Sequence, residues 1–185
     1  MQTYISVLRG INVSGHRVIK MDALKKSYAD LGFTNIITYI QSGNAIFRFK
    51  NSEPHKIEKM IKNKISDEYG FDVPVIVKEA GVFKKVLRNN PFLNNNNVEL
   101  SMLHVTFLSA KPAKSEVNRI NEFDYSPDEF IICDDVIYLS IPGGYGNTKL
   151  NNNFFENNLN VKATNRNWKT VNELCKIAES VEKAK

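Results

Sequence analysis

The sequence predicts an α+β protein built as two tandem ferredoxin-like halves, each running β-α-β-β-α-β, with additional helices. Three observations carry that expectation. Short apolar runs alternate with amphipathic stretches at helical spacing along all 185 residues. Gly, Asn and Pro signals separate them. The order of strands and helices in the first part recurs in the second, without obvious residue identity.

Taken in order, residues 4–8 are apolar enough for a buried strand. Residues 21–31 place Leu24, Tyr28 and Leu31 at three- and four-residue steps, as a short helix requires, and Gly32 supplies its stop. Strands follow at 35–40 and 45–49, joined by Ser42, Gly43 and Asn44, a compact hairpin signal. Residues 53–69 carry Ile57, Met60, Ile61 and Ile65 on one stripe and end at Gly70. A strand at 73–78 and a helix at 80–88 complete the first half. The second half reads as a strand at 103–108, a helix at 116–122, and strands at 129–133 and 136–141 around Asp134 and Asp135. A glycine loop at 142–147, a helix at 149–158, a strand-like segment at 161–163 and a final helix at 170–181 follow. Val171, Leu174, Cys175 and Ala178 mark the inner face of that helix. The expected domains are a first half at 1–90, a polar connecting loop at 91–98 holding Pro91 and the asparagine run 94–97, and a second half at 99–185, packed as one unit.

Composition narrows the class. Hydrophobic residues at 42% and charged residues at 24% place the chain among globular proteins and away from disordered or collagen-like ones. The apolar stretch 4–13 contains Arg9 and Asn12, and it is far shorter than the roughly 20 residues of a membrane-spanning helix. No secretory signal accompanies it, so a cytoplasmic location and no membrane partner are expected. Cys133 and Cys175 are too few for a disulfide scaffold and stand at no zinc-like spacing with histidine; reduced, buried thiols and no metal site are expected. The formal charge of +5 permits phosphate-bearing partners. Lys56, Lys59, Lys62 and Lys64, however, recur at helical spacing, the pattern of a solvated face.

Chemistry is concentrated in three polar segments that interrupt or end strand-like runs: 9–12 with Arg9, Gly10 and Asn12, 41–44 with Gln41, Gly43 and Asn44, and 166–168 with Arg166, Asn167 and Trp168. None contains a carboxylate, histidine or cysteine. Guanidinium, amide, hydroxyl and indole groups position an anionic ligand but do not shuttle protons near neutral pH, which favours binding over acid/base catalysis. The loop after the first strand, from Arg9 to Gly15, can present N–H groups and an arginine to an anion. Residues 43–49 have the glycine and terminal aromatic of an RNA-recognition strand, but Asn44 and Ile46 stand where stacking rings are needed. Gln41 and Asn44 read as turn-stabilising amides or as pocket-lining groups. Gly143, Gly144 and Gly146 precede Asn147, Thr148 and Lys149 in a strand-to-helix connection that is no Walker motif, because Thr148 comes before Lys149. Its N–H groups, a helix start and Lys149 can still hold one phosphate or carboxylate. Arg166 beside Trp168 can sandwich a ring, or Trp168 can anchor the last helix. His16, His55 and His104 are scattered and form no recognisable catalytic arrangement.

The strings 8–13 (LRGINV), 38–44 (TYIQSGN), 90–92 (NPF), 148–150 (TKL) and 163–171 (ATNRNWKTV) resemble those of a bacterial family of uncharacterised proteins, domain of unknown function 1697. The resemblance spans nearly the whole chain. It implies a cytoplasmic single-chain α+β protein of about this length and brings no established activity. Ser14 stands where the family pattern has a second glycine, and Asn147 with Thr148 where an Arg-Ser pair is common.

The expected function is binding of a small anionic or nucleotide-like ligand in a cleft between the halves, through Arg9, Asn12, Gln41, Asn44, Lys149, Arg166, Asn167 and Trp168, without a cofactor. One alternative is an enzyme that acts on a phosphorylated substrate by electrostatic positioning, for which the three strings supply no base. The other is a nucleic-acid binder using the lysine-rich helices. No catalytic residue is assigned, and oligomeric state leaves no signal in the sequence.

Overall fold

The structure, a computed structural model, describes residues 1–94 and 98–184. It is mixed α+β. The order is β1 (Gln2–Leu8), α1 (Met21–Asp30), β2 (Thr34–Tyr39), β3 (Asn44–Phe49), α2 (Pro54–Tyr69), β4 (Val75–Glu79), α3 (Ala80–Arg88), β5 (Leu103–Leu108), α4 (Lys114–Asn121), β6 (Glu129–Cys133), β7 (Val136–Ser140), α5 (Asn152–Leu159), β8 (Ala163–Asn167) and α6 (Trp168–Lys183). The strands make two four-stranded antiparallel sheets, ordered β2-β3-β1-β4 and β6-β7-β5-β8. The chain divides into two compact units, Met1–Lys85 with Glu173–Lys185, and Val86–Asn172.

In the first unit, alternation along β1 sends Tyr4, Ser6 and Leu8 to one face, where they meet Phe47, Ala45, Val77 and Val75 across the register. Leu24 and Tyr28 of α1 and Ile57, Ile61 and Ile65 of α2 close over that face as a buried cluster. Phe33 stacks on Phe47 with centroids 4.3 Å apart, and Tyr28 meets Phe47 edge-on at 5.4 Å. The Tyr28 hydroxyl is buried and shares a 2.9 Å hydrogen bond with Ser6 Oγ, so a polar atom in an apolar core is satisfied. Burial pushes its ionisation far above the usual tyrosine value. Ile5, Val7, Ile46 and Ile76, on the opposite face, are buried as well.

In the second unit, Leu108, Ile137, Leu139 and Ala163 pack beneath Ile120 of α4 and Phe155 and Leu159 of α5. Tyr125, Phe130, Phe154 and Phe155 extend this core through edge-to-face contacts at 5.3–5.6 Å.

Several expected boundaries shift for identifiable reasons. The helix expected from Lys149 begins at Asn152: Thr148 Oγ1 accepts from Leu150 N at 2.9 Å, and the Asn151 side chain caps the helix by accepting from Phe154 N at 3.1 Å. The strand expected at 161–163 runs instead from Ala163 to Asn167, at the sheet edge, where polar residues are tolerated. The expected polar loop starts as a 3-10 turn, Pro91–Asn94, with Phe92 buried; its residues 95–97 lie outside the described residues. Cys133 is exposed at the end of edge strand β6, against the expectation of a buried thiol, whereas Cys175 is buried. The second half expected at 99–185 takes in the whole C-terminal helix, yet the Glu173–Lys185 portion groups with the first unit, where Glu182 pairs with Lys84 at 2.7 Å. Among the described residues no helix is long and apolar enough to cross a membrane.

Candidate functional site

Arg9, Asn12, Gln41 and Asn44 belong to the first unit. The chain leaving β1 forms a small hairpin-like loop, in which Val13 bridges His16 and Asn12 N donates to Arg17 O at 3.2 Å. Asn12 adopts φ +55° and holds this loop in place. Its Nδ2 donates to Ile19 O at 2.9 Å and Gln41 O at 2.8 Å, while its Oδ1 accepts from Ile19 N at 2.9 Å. Both amide protons are therefore used on backbone, which ties the loop to the β2–β3 turn. Asn44 is fully buried and donates to Tyr39 O and Ser42 Oγ. Gly43 between them has φ +77°, and a Cβ there would lie 2.7 Å from Leu8 Cβ. Glycine is required at that crossing. Arg9 is half-buried, with its backbone N–H donating to Pro74 O at 3.0 Å, and the Gln41 side chain is exposed.

Lys149, Arg166, Asn167 and Trp168 belong to the second unit and do not form one group. Lys149 is exposed on the rim of a cavity of about 540 Å³ lined also by Phe123, Tyr125, Phe154, Asp124 and Asp128, a surrounding of mixed charge. Asp128 accepts from Thr148 Oγ1 at 2.5 Å, and hydrogen bonds from Ser126 hold the Asp124 carboxyl below its ordinary value. Asn167 is the N-cap of α6: its Oδ1 accepts from Thr170 N at 2.8 Å. Trp168 is 6% exposed at the start of that helix and serves as a packing anchor.

Arg166 has different neighbours. Its Nη1 donates to Asn165 O at 2.8 Å. Burial pushes the guanidinium down to about 10, with the Tyr145 phenol acting electrostatically in the opposite direction. It remains a cation at neutral pH, and its side chain is half-buried. Tyr145 comes from the glycine loop and stacks on His104, with centroids 4.9 Å apart and planes 25° apart. His104 Nδ1 lies 3.0 Å from Asn165 Oδ1, and Asn165 Nδ2 donates to Thr106 Oγ1 at 2.9 Å. His104, Thr106 and Asn165 are brought onto one face by the β5–β8 register, which pairs Thr106 with Asn165 and His104 with Asn167. Alternation sends the Arg166 side chain to the face opposite His104, Thr106 and Asn165, on the edge strand β8.

The Asn165 hydrogen bonds fix the chemistry of His104. Because the amide nitrogen is directed to Thr106, the amide oxygen faces the imidazole and Nδ1 carries the proton. Nε2 is then an acceptor, and no described residue hydrogen-bonds to it. Burial lowers the His104 pKa from 6.5, against the opposing hydrogen bond to Asn165, so the ring is neutral at pH 7. The sequence sets His104 aside as one of three scattered histidines and marks none of Thr106, Tyr145 and Asn165 as a site residue. A signal for the first two existed: in strand 103–108 they are the polar residues, two apart, on one face. Their junction with Asn165 depends on a pairing 59 residues away, which periodicity does not show. Among the described residues no group of three or more His, Cys, Asp or Glu side chains is placed to hold a metal ion.

The model of a family described as protein of unknown function (DUF1697) matches residues 1–138, β1 through most of β7. Among solved structures, a conserved bacterial protein from Streptococcus pneumoniae is similar at 18% identity and a TM-score of 0.70, over 96% of this chain and 98% of that one. That likeness shows the fold. No curated protein matches the chain.

Proposed function

We propose a function for a chain that belongs to the DUF1697 family of proteins of unknown function: it binds a small anionic or nucleotide-like ligand at Arg166, with Asn165 and Tyr145 as its polar neighbours. The observation that carries this reading is the guanidinium of Arg166, half-buried on edge strand β8, where burial lowers its pKa to about 10 and leaves it a cation at neutral pH. A partly buried cation attracts an anion more strongly than a fully exposed lysine does, and its planar fork suits phosphate or carboxylate. We further propose that the units are tandem ferredoxin-like copies, with halves at 1–90 and 99–185 joined by 91–98. The support is that each sheet has the same strand order when its strands are numbered from its own first strand. Two free thiols, one of them exposed, accord with a reducing, cytoplasmic setting.

The nucleic-acid alternative has less support. Lys56, Lys62 and Lys64 of α2 pair with Glu53, Asp72 and Glu68 at 2.7–2.9 Å, which leaves the helix a mixed-charge surface.

Thermal denaturation with increasing inorganic phosphate or adenosine monophosphate tests the reading. The wild type is expected to gain stability with concentration, by about 2.7 kcal/mol at a hundredfold excess over Kd. Arg166→Gln is expected to lose that gain, and Arg166→Lys to keep part of it. Equal gains in all three proteins would remove Arg166 from the site.

A further inference from the structure

We infer that the open cavity between α1, β2 and the end of α6 is a second binding site, and that its ligand is a small amphiphilic anion, an apolar body carrying one carboxylate. The cavity lies wholly within the first unit, has no residue in common with the surroundings of Arg166, and stands independently of that reading. At about 860 Å³ it falls within the range of small-molecule sites, roughly 300–1,000 Å³. Each wall has a structural origin. Asp22, Lys25, Lys26 and Ala29 recur at three- and four-residue steps along α1 and form one side. Ser180 and Val181 of α6, with Ala184 just beyond it, form another. β2 is the edge strand of its sheet, so no further strand of that sheet fills the space beside it. Successive residues on a regular strand point to opposite faces, yet Ile36 and Ile37 both line the cavity, because the β2–β3 register shifts between Thr34 and Ile37. With Phe33 and Val181 they give it an apolar lining, and Ile37 is left 39% exposed.

Charge selects the occupant. Lys25 and Lys26 are exposed, and among the described residues neither makes an ion pair, although Asp22 lies one turn before them on the same helix. The lysines of α2 differ, since Lys56, Lys62 and Lys64 each hold a carboxylate. Two ammonium groups against one carboxylate leave the rim of the cavity positive, while their methylene stems extend its apolar wall. An anion with an apolar body matches both features. Inorganic phosphate matches only the first.

Calorimetric titration of the intact chain with decanoate and decyltrimethylammonium, both below their micellar range, tests this. The probes share a chain length and differ in the sign of the head group. Wild type is expected to bind decanoate saturably at one site and roughly tenfold more tightly than the cation. The double variant Lys25→Gln with Lys26→Gln is expected to lose about tenfold in decanoate affinity and to hold the cation within about twofold of wild type. Ala29→Trp fills the space from an exposed helix position; it is expected to abolish decanoate binding with little change in the thermal midpoint. Arg166→Gln is expected to bind decanoate as wild type does. Absence of saturable binding would overturn the inference, as would equal affinity for the two probes, which marks adsorption to an apolar patch. Decanoate binding that survives Ala29→Trp or fails in Arg166→Gln would place the ligand elsewhere and overturn it too. Sedimentation velocity supplies the last check: a wild-type dimer that Ala29→Trp dissociates would make this cavity an interface between copies and overturn the small-ligand assignment.

Discussion

Single residues set the strictest geometric demands on this chain. Gly43 has φ +77°, and a Cβ would meet Leu8 Cβ at 2.7 Å and Ile11 Cδ1 at 2.8 Å, whereas Gly15 has a similar φ of +76° with nothing within 4 Å. Gly43→Ala therefore combines backbone strain with overpacking and is expected to cost about 2–4 kcal/mol. Gly15→Ala carries only the conformational cost, roughly 1 kcal/mol. Urea unfolding of both proteins checks the difference. His104 gives a pH prediction. Burial lowers its pKa in the folded state below 6.5, so as pH falls the unfolded chain takes up the proton first. Stability attributable to this residue is therefore lost below about pH 6.5, down to the depressed folded value. Urea midpoints at neutral and mildly acid pH are expected to fall more in wild type than in His104→Phe. The comparison isolates His104 from Glu58, which burial raises and which therefore slopes in the other direction. Some of this was legible in the sequence. A glycine inside a Ser42–Asn44 hairpin signal points to a positive-φ turn; the Leu8 and Ile11 side chains that make glycine obligatory there are visible only in the fold.

At the level of elements, the apolar runs were the readable part. Residues 103–108 and 129–133 form strands with the expected bounds because their β-branched and aromatic residues fit a pleated surface, buried in the first and half-buried at the sheet edge in the second. The segment Ala163–Asn167 was misplaced because an edge strand needs few apolar residues, and here only Ala163 and Thr164 are buried. The same oversight hid the candidate site. The sequence marks 166–168 as a polar segment at the end of a strand-like run, whereas Asn165 and Arg166 lie within the strand, in register with Thr106 and Val105. Asn167 marks the change from β8 to α6, since its side chain accepts from Thr170 N. Asn167→Ala is expected to destabilise by about 1 kcal/mol, the worth of an N-cap, and to leave phosphate affinity unchanged. A loss of affinity without loss of stability would move Asn167 from cap to ligand contact. In the first sheet, Phe47 meets Tyr4, Tyr28 and Phe33, and Phe47→Ala is expected to cost about 3–5 kcal/mol by chemical denaturation.

On the scale of the whole molecule, mixed α+β composition and eight strands in two antiparallel sheets follow from patterning that the chain displays openly. Division into units was less legible. The C-terminal helix looks continuous with the second half because sequence adjacency is the only guide there, yet Glu182 pairs with Lys84 and its end groups with the first unit. Fold survives in a solved bacterial structure at 18% identity, as expected when burial pattern rather than residue identity specifies the architecture. The candidate site differs in kind, since it depends on a few polar side chains joined across a register. Residue-resolved NMR of the intact chain titrated with inorganic phosphate addresses the central claim most directly. Saturable shifts concentrated at Arg166 and its neighbours Asn165 and Tyr145 are the predicted result. Shifts confined to the lysines of α2, or none that saturate, would contradict an anion site at Arg166.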